Sequence, residues 1–410
     1  MWRSSVQHVL AEVLIPGRGD PIEDGVVVLD GPSIVYAGAR SAAPAPTSDD
    51  VVHEVAAVMP GLWDSHAHLV GLRDLDLNLM AVSDEAMAAA RCVGDLGAML
   101  DAGFTSIREV GGLGLSLAPA IQDGTVRGPS TYAAGRMLST TGGHGDLHAL
   151  PLDMVHGIGC RFGFSILCDG VPEVLRAVRT NLRKNAKLIK VCASGGVMSE
   201  VDHPMHQQFS DEELAAIVAE AGRADRIVAA HCHGKAGIMA ALRAGCHTIE
   251  HGSFLDEEAA DLMVETGAML VPTRFVVEAL LGQLEGLPPY ALEKGRMVDD
   301  AHRQAMAIAI DKGVRIAAGC DIFVSGQMYG ENAGEIGYLI DAGMTDLQAI
   351  EAATANGPET LGPQAPRSGQ LVAGYDADVI ALDANPLEDR SVWTHADRVT
   401  HVWQQGRRVK

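Results

Sequence analysis

Two histidines one residue apart, His66 and His68, follow the apolar run Leu62–Ser65. On extended backbone alternate side chains project to one side, so His66-Ala67-His68 would set two imidazoles together as half of a metal site. Taken alone, the pair is a weak signal, more often two core or surface histidines than a metal site. Lys190, in Leu188-Ile189-Lys190-Val191-Cys192, shares a strand face with Leu188 and Cys192. An ammonium among apolar neighbours is costly unless neutralised or paired. It is either a lysine snorkelling from a strand end, or one whose amine has added carbon dioxide to give a carbamate able to bridge two metals. His231 ends Ile227–Ala230, His251 ends Thr248–Glu250, and Asp321 follows Ile316–Cys320. Each stands at the carboxyl tip of an apolar segment.

Those tips need a frame that brings them together. From residue 57 to 345, short β-branched segments alternate with longer segments of helical period, the pattern of repeated βα units. Strands are expected at Leu62–Ser65, Thr105–Glu109, Thr131–Ala134, Leu188–Cys192, Val228–His231, Thr248–Glu250, Met269–Pro272 and Val314–Gly319. Eight such units predict an α/β chain built as a (β/α)8 TIM barrel, whose strand tips form one rim. Ser210 with Glu213 makes a capping box before Leu214, Ile217 and Val218, fixing the end of a loop that begins at Ser194. Outside the barrel, Gly25–Leu29 and Ile34–Ala39 flank the turn Asp30-Gly31-Pro32-Ser33, while Val379–Leu382 and Val399–Gln404 read as strands. The expected division is a small β-sandwich from residues 1–57 and 360–410 and a barrel from 58–359.

Composition narrows the partners. With 31 Lys+Arg against 53 Asp+Glu, a net charge of −22, the chain is a poor match for nucleic acid or an anionic membrane. No apolar run approaches the ~18–20 residues of a membrane span, and Met1–Pro16 lacks a signal pattern. Seven scattered cysteines without a Cys-x-x-Cys pair argue against disulfides or a zinc ribbon and for a reducing cytoplasm. Gly111-Gly112-Leu113-Gly114 does not complete a dinucleotide fingerprint, and neither a phosphate-binding loop nor a Gly-x-Ser-x-Gly elbow occurs.

Over nearly its whole length the chain resembles the amidohydrolase superfamily. The likeness is carried by Pro60-Gly61-Leu62-Trp63-Asp64-Ser65-His66-Ala67-His68, Lys190 in its strand, Ala230-His231-Cys232-His233-Gly234, Glu250-His251-Gly252, Gly319-Cys320-Asp321 and Gly374-Tyr375-Asp376-Ala377-Asp378. Gly135–Gly145 and Lys190–Ser199 are similar to the imidazolonepropionase-related, prolidase-like group, whose members hydrolyse Xaa-Pro dipeptides, N-acyl amino acids, ochratoxin-type amides and some carbamates or ureas.

The resemblance implies two divalent metal ions, zinc first, though mixed imidazole and carboxylate ligands also accept Mn, Co or Fe. His66, His68 and Asp321 would hold one, His231 and His251 the other, with Lys190 as a bridging carbamate. His233 leaves open which imidazole of its pair ligates, the family pattern favouring His231. Two cations sharing a water would lower its pKa towards ~7, with Asp321 carrying the proton to the departing amine. His144, in a glycine-flanked loop, is expected to donate to the oxyanion or to be a solvated turn residue. Arg136 is either a bidentate partner of a substrate carboxylate or an ordinary ion pair, and His203 and His206 either line the pocket or are plain loop histidines. Arg274–His302 is placed as a lid. The expected partners are a small-molecule amide and further copies of the chain in a homo-oligomer. Rival readings are a carbamate, urea or cyclic-amide hydrolase, a mononuclear deaminase-type site, and a scaffold without catalysis.

Overall fold

The computed structural model describes residues 6–282, 287–326 and 328–410. Its first strands are β1 (Gln7–Leu14), β2 (Ile22–Asp30), β3 (Ser33–Ala39) and β4 (Val51–Pro60). The turn expected at Asp30–Ser33 closes the β2–β3 hairpin, with Asp30 paired to Ser33. At the other end of the chain lie three strands, numbered below after those of the central region. All seven form one sheet with a core of its own, in which Val9, Val27, Ile34, Val379 and Trp403 are buried. The chain ends therefore meet, as strands of one seven-stranded sheet joined through a hydrogen-bonded ladder.

Between them run β5 (Leu62–Leu72), β6 (Phe104–Glu109), β7 (Ser130–Ala133), β8 (Met137–Ser139), β9 (Ser165–Leu167), β10 (Ile189–Cys192), β11 (Val228–Cys232), β12 (Thr248–His251), β13 (Met269–Val271), β14 (Arg315–Ile316) and β15 (Ile322–Val324). The closing strands are β16 (Val379–Leu382), β17 (Val399–Gln404) and β18 (Arg407–Arg408). The terminal sheet has the order β18-β17-β16-β4-β1-β2-β3. The central strands make two parallel sheets, β15-β5-β6-β7 and β14-β13-β12-β11-β10-β8-β9. Backbone bonds reach from one sheet to the other, Lys187 N to Ala133 O and Ser65 N to Ala318 O, each 2.8 Å. Because the strands are parallel, their carboxyl ends lie on one side, where ligands bind in α/β folds.

All eight expected strands occur, with shifted limits. The first runs on to Leu72, so His66 and His68 lie inside it, and the eighth keeps only Arg315–Ile316 paired. Strands β8, β9 and β15 were not legible, because three residues are too few to display a period. Gly61 joins β4 to β5 where a Cβ would stand 2.1 Å from Thr105 Oγ1, so only glycine permits this approach.

The helices cover the sheets with one apolar face each. In α1 (Glu85–Asp101), α2 (Gly114–Gln122), α3 (Leu152–Phe162) and α4 (Val171–Arg183) the pattern is plainest in the last, where Val174, Ala177, Val178 and Asn181 are buried at helical spacing. Then come α5 (Asp211–Gly222), α6 (Lys235–Ala244), α7 (Glu257–Thr266), α8 (Arg274–Gly282), α9 (Pro289–Asp311) and α10 (Gly334–Asp341). The expected lid, Arg274–His302, is α8 and the first half of α9; residues 283–286 of it lie outside the described residues. No described helix is long and apolar enough to cross a membrane, and all seven cysteines are free.

The capping box of α5 forms as anticipated: Glu213 N donates to Ser210 Oγ at 3.2 Å and Ser210 N to Glu213 Oε2 at 2.8 Å. Ser210→Ala is expected to lower the unfolding free energy by about 1 kcal/mol, read as a shifted urea midpoint at unchanged slope.

Candidate metal centre

Metal-competent atoms collect in two groups at the carboxyl ends of the parallel strands, His66 with His68 and Asp321, and His231 with His233 and His251. Within each group the donor atoms lie within 4.8 Å of one another. The rings of His66 and His251, 5.1 Å apart between centroids, link the two. Lys190 Nζ is 3.4 Å from His66 Nε2, buried at 2% exposure. Burial draws its ammonium below the ordinary lysine range.

A histidine ligates through the nitrogen that lacks a proton, so the partner of the other nitrogen decides its role. His68 Nδ1 donates to Gly111 O at 2.7 Å, and His231 Nε2 to Gly195 O at 3.2 Å; a carbonyl only accepts, which fixes both tautomers. The free nitrogens are then His68 Nε2 and His231 Nδ1. His66 Nδ1 lies 2.7 Å from Glu250 Oε2, leaving its Nε2 3.4 Å from Asp321 Oδ1. His251 Nδ1 meets Thr273 Oγ1 and His233 Nδ1 meets Ser253 Oγ, both at 2.7 Å. Burial keeps His66 neutral down to about 4 and His233 to about 3, and pushes His231 and His251 well below the ordinary range. Burial opposes ionisation of Asp321, yet His66, His68 and Lys190 hold its carboxyl down at about 2. The donor set fits divalent cations: imidazoles, two of them with tautomers fixed by carbonyls, and an ionised carboxylate that favours the charged form of His68 until a cation takes its place.

Several groups to which the sequence reading gave no role hold this set in place. Glu250 takes a hydrogen bond from Arg108 Nη2 at 2.6 Å and one from Thr248 Oγ1, besides its contact with His66. Burial opposes its charge, but Arg108 holds it well below the usual carboxylate range. Arg108 Nε also donates to Ser65 O at 2.5 Å, just before the His66 strand position. Asp64 Oδ1 accepts from His66 N at 3.0 Å and Cys320 N at 3.1 Å, tying together two ligand-bearing segments 256 residues apart. His251, Thr273 and Asp321 have φ of 68°, 56° and 58°, a left-handed backbone that non-glycine residues adopt at a cost of roughly 1–3 kcal/mol each. An arginine among Thr105–Glu109 and an acid beside His251 were the sequence signals; nothing in one strand showed that they would pair.

Residues 57–409 match the model of the Amidohydrolase family. The chain belongs to that family. It is a hydrolase acting on amide C–N bonds, in agreement with the resemblance read from its motifs. It is 45% identical over 422 residues to the ochratoxinase of Aspergillus niger, covering 99% of this chain and 87% of that protein. The crystal structure of A. niger ochratoxinase superposes with a TM-score of 0.93 at 43% identity, covering 100% of this chain and 96% of the other. A prolidase complexed with N-methylphosphonate-L-proline gives 0.89 at 35% identity, covering 99% and 100%.

In this amidohydrolase the two groups open into a cavity of about 210 Å3. Val276, Leu280 and Leu281 of α8 and Tyr290 and Leu292 of α9 contribute to its wall, so the expected lid segment does face the site. His144 also lines it, with its ring stacked on that of His231 at 4.1 Å. His233 lines it as a member of the second histidine group. Arg136, His203 and His206 are not brought there. The Arg136 guanidinium turns to Cys160 Sγ at 3.2 Å, and His203 and His206 pack their rings on each other in the outer loop. Among the described residues that line the cavity, Lys190 is the one lysine and there is no arginine.

Glu250→Gln leaves Arg108 buried without its counter-charge. A loss of about 3–5 kcal/mol in unfolding free energy is expected, with metal affinity about 10–100-fold weaker by competition with a chelator.

Proposed function

We propose that this amidohydrolase is binuclear and cleaves the amide bond of a small molecule with a bulky apolar part, such as an N-acyl amino acid or an Xaa-Pro dipeptide. The observation that carries the reading is the pair of donor groups, His66/His68/Asp321 and His231/His233/His251, beside the buried amine of Lys190. An apolar wall above them and the likeness to an ochratoxinase and to a prolidase support an amide with a hydrophobic half. The chain division that goes with it is a (β/α)8 barrel over residues 58–359 and a β-sandwich from 1–57 and 360–410. The two bonds joining the parallel sheets, and the separate core of the terminal sheet, favour this division.

His66 and His68 would hold one ion with Asp321, and His231 and His251 the other. Lys190 is the expected bridge: a buried amine drawn towards its neutral form adds carbon dioxide, forming the N–C bond and releasing one proton. Divalent ions, zinc foremost, would supply a water of lowered pKa and a Lewis acid for the scissile carbonyl. The chain's own residues do the rest. Asp321, ionised and facing His66 Nε2 and His68 Nε2 through Oδ1, can take a proton from the attacking water and return it to the departing nitrogen. An amine leaves only after that protonation. The walls of α8 and α9 exclude water and orient the apolar half of the substrate, which an arginine-free lining recognises by shape rather than by a carboxylate clamp.

The test is a hydrolysis screen over N-acyl amino acids, Xaa-Pro dipeptides, aryl carbamates and ureas, together with metal analysis of the purified protein. About two transition-metal ions per chain and turnover of an amide are expected; one ion, or turnover confined to carbamates and ureas, would overturn the reading. Asp321→Asn should keep most of the metal and lose about 10²–10⁴-fold in kcat. Lys190→Ala should be inactive until a short carboxylic acid is added, and unassisted turnover would refute the bridge.

A further inference from the structure

Glu335 takes no part in the proposed reaction, yet its side chain is wholly buried in the first turn of α10. Its Oε1 accepts from Arg274 N at 3.0 Å and its Oε2 from Phe275 N at 2.6 Å, two adjacent amides at the start of α8. The Arg274 guanidinium is engaged by Glu278 and Asp299, so what the carboxyl of Glu335 holds is main chain. Burial lifts that carboxyl to about 8, and the two amides draw it back. Either protonation state keeps lone pairs on both oxygens, so the grip does not depend on charge.

The residue before these amides is Thr273, fully buried with φ of 56°, a region that a β-branched residue rarely enters. Such a conformation persists only where its surroundings impose it. From it Thr273 Oγ1 meets His251 Nδ1 at 2.7 Å, which leaves Nε2 as the nitrogen open to an ion. The main chain of His251 is held separately, its carbonyl accepting from His302 Nε2 of α9 at 3.1 Å. We propose that Glu335 is a positioning residue for His251, acting through Thr273. By fixing the two amides that follow, it keeps Thr273 in the strained turn from which its hydroxyl orients the ligand ring. This rests on the binuclear reading of the site and deepens it: the two donor groups are held by different residues. His66 and His68 are steadied by Glu250 and Gly111, and the segment of Asp321 by Asp64. A change at Glu335 therefore reaches one ion and spares the other.

The experiment is zinc affinity of the loaded protein by competition with a chelator, with His251→Asn marking which ion belongs to that histidine. In Glu335→Gln one acceptor oxygen becomes an amide nitrogen. That ion should bind about 10-fold more weakly, the low end for groups that steady a ligand from behind, and the other should be unchanged. Thr273→Val deletes the hydroxyl and should weaken the same ion; Thr273→Ser should restore it. Glu335→Gln combined with Thr273→Val should be no weaker than Thr273→Val alone, because one residue acts through the other. Additive losses, equal weakening of both ions, or unchanged affinity in Glu335→Gln overturn the inference. Should Glu335→Gln not fold, Glu335→Asp, with both oxygens on a shorter stem, carries the same comparison. One ion per chain in the wild type, or no turnover of any amide, sinks the proposed function instead; Glu335→Gln is then judged on the ion that His251→Asn abolishes.

Discussion

The site depends on one buried ion pair. Arg108 and Glu250 meet away from water, and the same Glu250 oxygen that faces the guanidinium faces His66 Nδ1. A carboxylate in so dry a place stays ionised only because the arginine compensates it, and only an ionised carboxylate serves purely as an acceptor for the imidazole. That contact turns the His66 lone pair towards Asp321. Replacing the pair by apolar residues of similar volume would cost the fold little, which makes the pair a device for orientation more than for stability.

The same economy recurs around the other ligands. Carbonyls of Gly111 and Gly195 each take the proton of one ring nitrogen and so leave the other its lone pair, while hydroxyls of Ser253 and Thr273 hold the rings of His233 and His251 in place. The left-handed backbone at His251 and Asp321 shows where the strands are bent to aim side chains. Such strain persists because the surrounding sheets and Asp64, which grips the backbone of two distant segments, leave it no way to relax. Most of the binding groups stand on strands, with His233 and Asp321 directly beside strand ends, while α8 and α9 contribute apolar wall, so the rigid part of the molecule holds the reacting centre and the α8–α9 side helps shape what can enter.

Much of this was legible before any coordinates. Short β-branched runs ending in polar residues located the strands because a strand buried on both faces leaves an uninterrupted apolar signature, and the metal-competent residues at their tips interrupt it. The serine and glutamate before α5 announced the helix start because a capping box is local in sequence. What escaped were short strands such as Ser165–Leu167 and every pairing between distant segments. Arg136 shows the limit: its guanidinium reaches Cys160 of α3, a direction no local pattern encodes.

The sequence alone determined which chemical groups were available and their spacing within each segment, since those follow from residue type and local period, and its motifs carried the resemblance to the family. Only the tertiary structure decided that Glu250 belongs to Arg108, that His233 joins His231 and His251, and that Glu335 grips the main chain beside Thr273. The reason is physical: which nitrogen of an imidazole is free depends on what packs against the other, and that neighbour comes from elsewhere in the chain.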